Sequence, residues 1–514
     1  MRSSTAGRRL PIFTITVVGL LFSPSALAQT GSGSDAQDLR PTTAVQQPAQ
    51  RSATGPRTIQ VAGWTVGGSL RIRFEDWDFF KAPPSDSTYG YGASVLRASV
   101  GRQFRTQDWL FELEQPSLIG LPSQAVAPAP QGQLGFGGTY RVANEAHTPV
   151  GIFLKQGFIR FKGLGGDQPS SLRIGRFEYG DGLELSPAGP LGAVVRDRVA
   201  NRLIGNFGFT HVARSLDGIH FSRGANTSNL TFLAARPTEG VFQTRGMKDL
   251  NVEMVYGAFT TTHRSHGEGE ARVFATYYHD GRDTLKTDNR PLALRSQDHK
   301  KIDITTIAGN YVNIFPLGKG KTDALFWAAA QTGSWGTLRH RANAFAAEAG
   351  YQLDNSPLKP WLRAGYFRGS GDDDPSDGVH RTFFQELPTP RPFARFPLYN
   401  LMNNEDTFSQ LTVIPHPKLT LRSEAHSLNL ANAADLWYVG GGAFQKQTFG
   451  YTGRPSGGEK RFLTVFDLSA DYQFDPQTTF TLYVAHASGK DVVKRLFPAG
   501  PNANFVYIEL NRRF

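Results

Sequence analysis

The chain has 514 residues and no cysteine, which excludes disulfides, thiolate metal sites and cysteine nucleophiles. Its formal net charge is +11 and its mean hydropathy is −0.34, that of a water-soluble protein. No stretch after the N-terminus approaches about 18 consecutive apolar residues, which excludes a bundle of membrane helices but not a β-barrel, whose inward residues dilute its hydropathy.

Arg2, Arg8 and Arg9 precede the apolar run Ile12 to Phe22, and Ala26-Leu27-Ala28 supplies small residues at cleavage spacing. These are the parts of a secretory signal peptide, residues 1–28, with Gln29 as the mature N-terminus. Cleavage removes three arginines and no acid, leaving a charge of +8. Residues 29–60 are Ser, Thr, Gln, Pro, Gly and Ala with scattered charges and cannot bury a core, so they read as a disordered periplasmic leader.

From Trp64 onward, strand-like segments and turns recur to Phe514, so residues 61–514 read as one domain. Leu70, Ile72 and Phe74 alternate with Arg71, Arg73 and Glu75; Leu96, Ala98 and Val100 with Arg97 and Ser99; Trp109, Phe111 and Leu113 with Glu112 and Glu114. Near the C-terminus Phe466, Leu468, Ala470, Tyr472 and Phe474 oppose Asp467, Ser469, Asp471 and Gln473. Phe480, Leu482 and Val484 continue the stripe against Thr479, Thr481 and Tyr483. In the final segment Val506, Ile508, Leu510, Arg512 and Phe514 oppose Phe505, Tyr507, Glu509, Asn511 and Arg513. Apolar residues on one face and charges on the other, in strand after strand, are what a wall between lipid and water requires. The length suits a transmembrane antiparallel β-barrel of about 16–18 strands. The connections Arg264 to Glu270, Asp280 to Lys301 and Gly369 to Asn404 read as long external loops. The stretch Gln115 to Gly138, with prolines at 116, 122, 128 and 130, folds either inward or over the pore.

By parity Arg71, Arg73, Arg97, Arg160, Arg173, Arg363 and Arg422 face the lumen. Guanidinium groups are permanently charged and pair bidentately with carboxylates, so a ladder of them suits a polyanion. The competing reading of each is an ion pair with a neighbouring wall acid. No nucleic-acid-binding fold follows the basic charge. Asp372-Asp373-Asp374-Pro375-Ser376-Asp377-Gly378 fails the calcium-loop spacing and reads as a solvated loop, and the histidines form no metal-ligand spacing, so neither a metal nor a cofactor is expected. There is no G-x-S-x-G nucleophile motif, and an enzyme is not expected.

Leu172-Arg173-Ile174-Gly175-Arg176-Phe177-Glu178-Tyr179-Gly180-Asp181-Gly182 resembles the strand-and-turn signature of the alginate export family of outer-membrane barrels. Arg214-Ser215-Leu216-Asp217-Gly218-Ile219 resembles a second element, with Leu216 where the family has an aromatic. The Ser-Gly-Asp loop after Tyr366 and Asp435-Leu436-Trp437-Tyr438-Val439-Gly440-Gly441 are similar to two more, in the family's order. The terminal strand also resembles the sorting signal of outer-membrane barrels. The resemblance implies about 18 strands, an arginine-lined pore passing an alginate-like polyuronate, and a monomer in bacterial outer-membrane lipid. Polymer delivery would call on periplasmic export machinery. A general or small-anion porin of the same fold is the alternative. Gly175, Arg176, Tyr179, Gly180, Asp181, Arg214, Asp217, Gly218 and Trp437 are read as structural, since an Asp repels a polyanion.

Overall fold

The computed structural model describes residues 59–514, apart from 168, 188, 226, 391, 392 and 394. The expected signal peptide and all but the end of the leader lie outside the described residues. The strands are β1 Ile59–Val61, β2 Trp64–Asp78, β3 Thr88–Gln103, β4 Gln107–Ile119, β5 Phe153–Lys162, β6 Ser170–Phe177 and β7 Leu216–Gly224. Next come β8 Ser228–Pro237, β9 Val252–His263, β10 Glu268–Asp280, β11 Ile302–Leu317, β12 Gly320–Trp335, β13 Leu338–Leu353 and β14 Trp361–Gly369. The chain continues through β15 Val379–His380, β16 Asn404–His416, β17 Leu419–Leu430, β18 Leu436–Gly440 and β19 Tyr451–Pro455. It closes with β20 Arg461–Asp475, β21 Thr478–Gly489 and β22 Asn502–Arg513.

Eighteen of these, all but β1, β15, β18 and β19, pair antiparallel with their neighbours, and β2 pairs with β22 to close the barrel. The seam is set by sequence: Leu70, Ile72 and Phe74 register with Arg512, Leu510 and Ile508, so both outward stripes meet on one face. Ile72, Phe74, Phe111, Leu113, Phe466 and Leu468 are exposed, as a lipid-facing wall requires, whereas Arg71, Arg73, Glu75, Glu112 and Asp467 are buried within. A closed barrel leaves no edge to satisfy in lipid. The small hairpin of β1 on β2 takes in the last two residues assigned to the leader.

The rims differ. One carries only short turns, at 104–106, 163–169, 225–227, 264–267, 318–319, 354–360, 417–418 and 476–477. The other carries the long connections 120–152, 178–215, 238–251, 281–301, 370–403, 431–460 and 490–501. By the usual asymmetry the short-turn rim is periplasmic. Two expectations are corrected here. Arg264 to Glu270 is no long loop: β9 and β10 run to His263 and from Glu268, leaving a tight turn on the short-turn rim. Gly369 to Asn404 lies on the long-loop rim but is not external along its length, because Phe383, Phe384, Leu387, Phe396 and Leu398 are buried. The stretch Gln115 to Gly138 keeps β4 pairing to Ile119, then turns inward and enters helix α1, Phe136–Asn144.

The core of this protein is therefore inside its barrel. Phe136 packs against Phe242 at 5.0 Å and Trp77 at 5.8 Å, and Phe396 against Phe505 at 5.6 Å. Trp335 stacks on His380 at 4.1 Å, and Trp437 lies 4.9 Å from Phe462. Each pair joins an inward-folded loop to the wall or to another loop, and such pairs contribute about 0.5–1.5 kcal/mol beyond the area they bury.

Candidate functional site

All seven arginines that parity assigns to the lumen are on the inner face, but they fall into two groups. Arg71, Arg73, Arg97 and Arg363 are buried and hold the segment 178–215. Arg71 donates to the carbonyls of Gly208 (2.7 Å) and Thr210 (2.6 Å), Arg73 to that of Phe209 (2.8 Å), and Lys155 to that of Val212 (2.9 Å). A loop passing through a lumen carries carbonyls that need donors, and these cations supply them. Arg73 also pairs with Glu509 at 2.5 Å and Glu75 at 3.2 Å. Arg97 is clamped by Glu114 (2.6 Å), Glu112 (3.4 Å) and Glu178 (3.0 Å), the last at the start of the loop. Arg363 pairs with Asp323 at 3.0 Å and with Glu348 at 3.2 Å; Glu348 also takes Arg198 at 2.8 Å and Arg202 at 3.3 Å, around helix α2, Pro190–Asp197. The space beside Arg71 and Arg97 is only about 20 Å³, room for one water.

The second group sits nearer the short turns. Arg160 and Arg173 are direct cross-strand partners on β5 and β6. Arg160 pairs with Asp108, which Lys162 also reaches at 2.8 Å. Arg173 contacts His220 Nδ1 at 3.2 Å and lies 4.1 Å over the Phe177 ring. Arg422, three residues into β17, is 3.8 Å from Glu424. Arg173, Arg422 and Lys162 are partly exposed to the interior space. Among the described buried residues, Asp and Glu outnumber Lys and Arg, so the chain's surplus of base is not carried by its buried interior.

The motif residues are placed as follows. Gly175 has φ +129°, and a Cβ there would strike the Gly157 carbonyl; a Cβ on Gly218 would strike that of Ala234, so β6 to β8 pack only with glycine at both. Arg176 and Asp217 face each other in register on the outer surface with two 2.7 Å hydrogen bonds. The Asp181 carboxylate accepts the amide of Ile204 at 3.0 Å and pairs with Arg272 at 3.2 Å, pinning both ends of one loop to the wall. Gly180 abuts Asn201, where a Cβ would not fit, and Tyr179 donates to Glu184 at 3.3 Å. Among the described residues Arg214 is buried with no carboxylate partner and donates to the Gly441 and Gly205 carbonyls, linking the segments 178–215 and 431–460. Trp437 donates to the Leu398 carbonyl at 2.7 Å.

Several interior groups escaped the sequence. Lys155 breaks the alternation because a register shift at Glu112/Leu113 turns Lys155 and Gln156 both inward. Arg198, Arg202 and His211 lie in an irregular loop with no period to read. His211 contacts Glu75 at 3.1 Å, and burial holds its pKa down at about 4. Glu386 is fully buried, accepts hydrogen bonds from Thr276 and Thr306, and has no ion-pair partner among the described residues; burial pushes its pKa up to about 7. At the acidic loop, Arg381 pairs with Asp377 at 2.6 Å and Asp373 at 3.4 Å.

The barrel is similar to solved structures at low identity. Acinetobacter baumannii OccAB4 matches with a TM-score of 0.53 at 8% identity, over 88% of this chain and 99% of that one. Pseudomonas aeruginosa OccK1 (OpdK) matches at 0.51 and 9% identity, over 87% and 98%, as does OpdK solved with vanillate. No curated protein matches the chain. At such identities the likeness establishes the fold. Residues 151–496, more than half of the chain and the segment holding the four motifs, match the family model described as alginate export, and the protein belongs to the alginate export family of outer-membrane β-barrels.

Proposed function

We propose that the protein is an outer-membrane channel, not an enzyme, and that it passes anionic oligo- or polysaccharide of the polyuronate type. The observation that carries this reading is the set of inner-face cations in the short-turn half, Arg160, Lys162 and Arg173 on neighbouring β5 and β6 and Arg422 on β17. Guanidinium groups match repeated carboxylates, and several weak sites in series let a polyanion advance without being trapped. Export through a signal peptide cleaved after Ala28, a periplasmic leader at 29–60, a single-chain pore and delivery of the polymer by periplasmic machinery belong to the same proposal. The motif residues Gly175 to Asp181, Arg214, Asp217, Gly218 and Trp437 act in it as structural pins.

A second reading is favoured by the aromatic packing that fills the long-loop half: a channel for small anions, the loops admitting no polymer. Liposome swelling separates the two. An acidic trisaccharide entering faster than a neutral one of equal size supports the first reading. Equal exclusion of both, with small carboxylates admitted, supports the second, and enhanced entry of neutral solutes rejects both.

A further inference from the structure

On β11, β12 and β13 the outward-facing row changes character at one level. Toward the short turns it is mostly apolar, with Ile307 and Ala330 beside Asn343, then Phe326, Phe345 and Ala347. Toward the long-loop rim it becomes Thr305, Thr332 and Arg341 in one cross-strand triple, then Asp303, Ser334 and Arg339 in the next. Lys300 and Lys301 lie immediately beyond, both exposed. The edge of the lipid-facing belt thus lies at the level of Ile307, Ala330 and Asn343, just below Arg341, which places these four cations at the headgroup level of the outer leaflet.

There Lys300, Lys301 and Arg339 border a cleft of about 550 Å³, lined also by Asp303, Ser334 and Thr337, with Arg341 one outward step along β13 from Arg339. Its floor is open because Gly333, at φ +145°, has no side chain where a Cβ would strike the Asp303 carbonyl. The one acid in the lining is already engaged: Asp303 accepts from Tyr277 and contacts His279 Nδ1, each at 2.7 Å. Asp377 of the facing loop, which acts electrostatically on Arg339, is itself held by Arg381. Among the described residues, no carboxylate pairs with Lys300, Arg339 or Arg341. Exposed cations with no ion-pair partner around a cleft at a lipid boundary suit a phosphate that arrives on a lipid anchor.

We infer that this cleft is a binding site for the phosphorylated headgroup of an outer-leaflet glycolipid. Lys300, Arg339 and Arg341 take the phosphates, Ser334 and Thr337 hydrogen-bond the sugar, and the acyl chains lie along Ile307, Phe326 and Phe345. The site is separate from the lumen and does not depend on what the channel carries.

The test is native mass spectrometry of the purified barrel after incubation with bisphosphorylated lipid A or its dephosphorylated form. Wild type retains the phosphorylated lipid and not the other. Retention by Lys300→Gln/Arg339→Gln/Arg341→Gln falls about fivefold for each cation removed. Ser334→Trp, which fills the cleft and keeps the cations, also loses the lipid. Unchanged retention in both variants, or retention indifferent to phosphate, overturns the proposal. So does displacement of the lipid by equimolar inorganic phosphate, since a free anion would then be the ligand. Gel mobility of the unheated protein verifies that each variant is a closed barrel.

Discussion

The two halves of this barrel share their strands and differ in what fills them. In the long-loop half, inward wall residues such as Trp77, Trp327, Trp335, Tyr278 and Phe505 meet loop residues such as Phe136, Phe383, Phe384, Phe396 and Trp437, and the interior is a hydrophobic core. In the short-turn half inward positions carry Arg160, Arg173 and Arg422 with Asp108 and Asp471, polar side chains of the strands themselves. The first half behaves as a plug held by packing, the second as a polar vestibule set by strand side chains. Arg71, Arg73, Lys155 and Arg97, at the boundary, tie one to the other through the segment 178–215.

The largest expected effect comes from breaking the plug and sparing the wall. Trp437→Ala removes a buried indole from a loop strand outside the barrel sheet, at a cost of about 3–5 kcal/mol to the loop packing. We expect protease sensitivity within 431–460 and a several-fold larger single-channel conductance, with the unheated barrel's gel mobility unchanged; an unaltered conductance would mean the packed loops do not limit the path. Altering the vestibule comes next. Arg160→Gln/Arg173→Gln/Arg422→Gln should lower the anion-to-cation permeability ratio about 3–10-fold while leaving conductance within about twofold.

A smaller effect is pH-dependent. Glu386 has a folded pKa of about 7, raised by burial above its ordinary value of 4.5. Its stabilisation of the plug is therefore complete below about 4.5 and is lost as pH rises through about 7. Channel noise and loop proteolysis should increase across that window in wild type and stay flat in Glu386→Gln. A wild-type profile without any rise between those limits would sink this assignment. The smallest effect belongs to the outer surface: Arg176 and Asp217 are a partly exposed pair, and a double-mutant cycle on thermal unfolding should give a coupling of about 0.2–1 kcal/mol.

How much of this was legible follows from the periods involved. A strand wall has period two, so the outward stripes and the inner placement of Arg71, Arg97, Arg160 and Arg422 can be read directly. Parity says which side a residue faces and not what fills the space opposite. That is why Arg71 and Arg73, read as a path for substrate, are found holding the carbonyls of Gly208, Phe209 and Thr210. The loop 370–403 reads as external because its prolines, glycines and charges resemble a solvated connection; its spaced Phe383, Phe384, Phe393 and Phe396 are the sign in the sequence that it has a core to enter. Arg264 to Glu270 misled for a simpler reason: a polar composition marks a turn without giving its length or rim.

The central claim is that inner-face arginines below a loop plug make this an anion-favouring channel. Its most direct test is the reversal potential of the purified protein in a planar bilayer under a KCl gradient, with oligouronate added to either side. The account predicts an anion-favouring potential and a concentration-dependent block that is stronger when uronate enters from the short-turn side, where Arg160, Arg173 and Arg422 lie. Unselective or cation-favouring currents indifferent to uronate would contradict it.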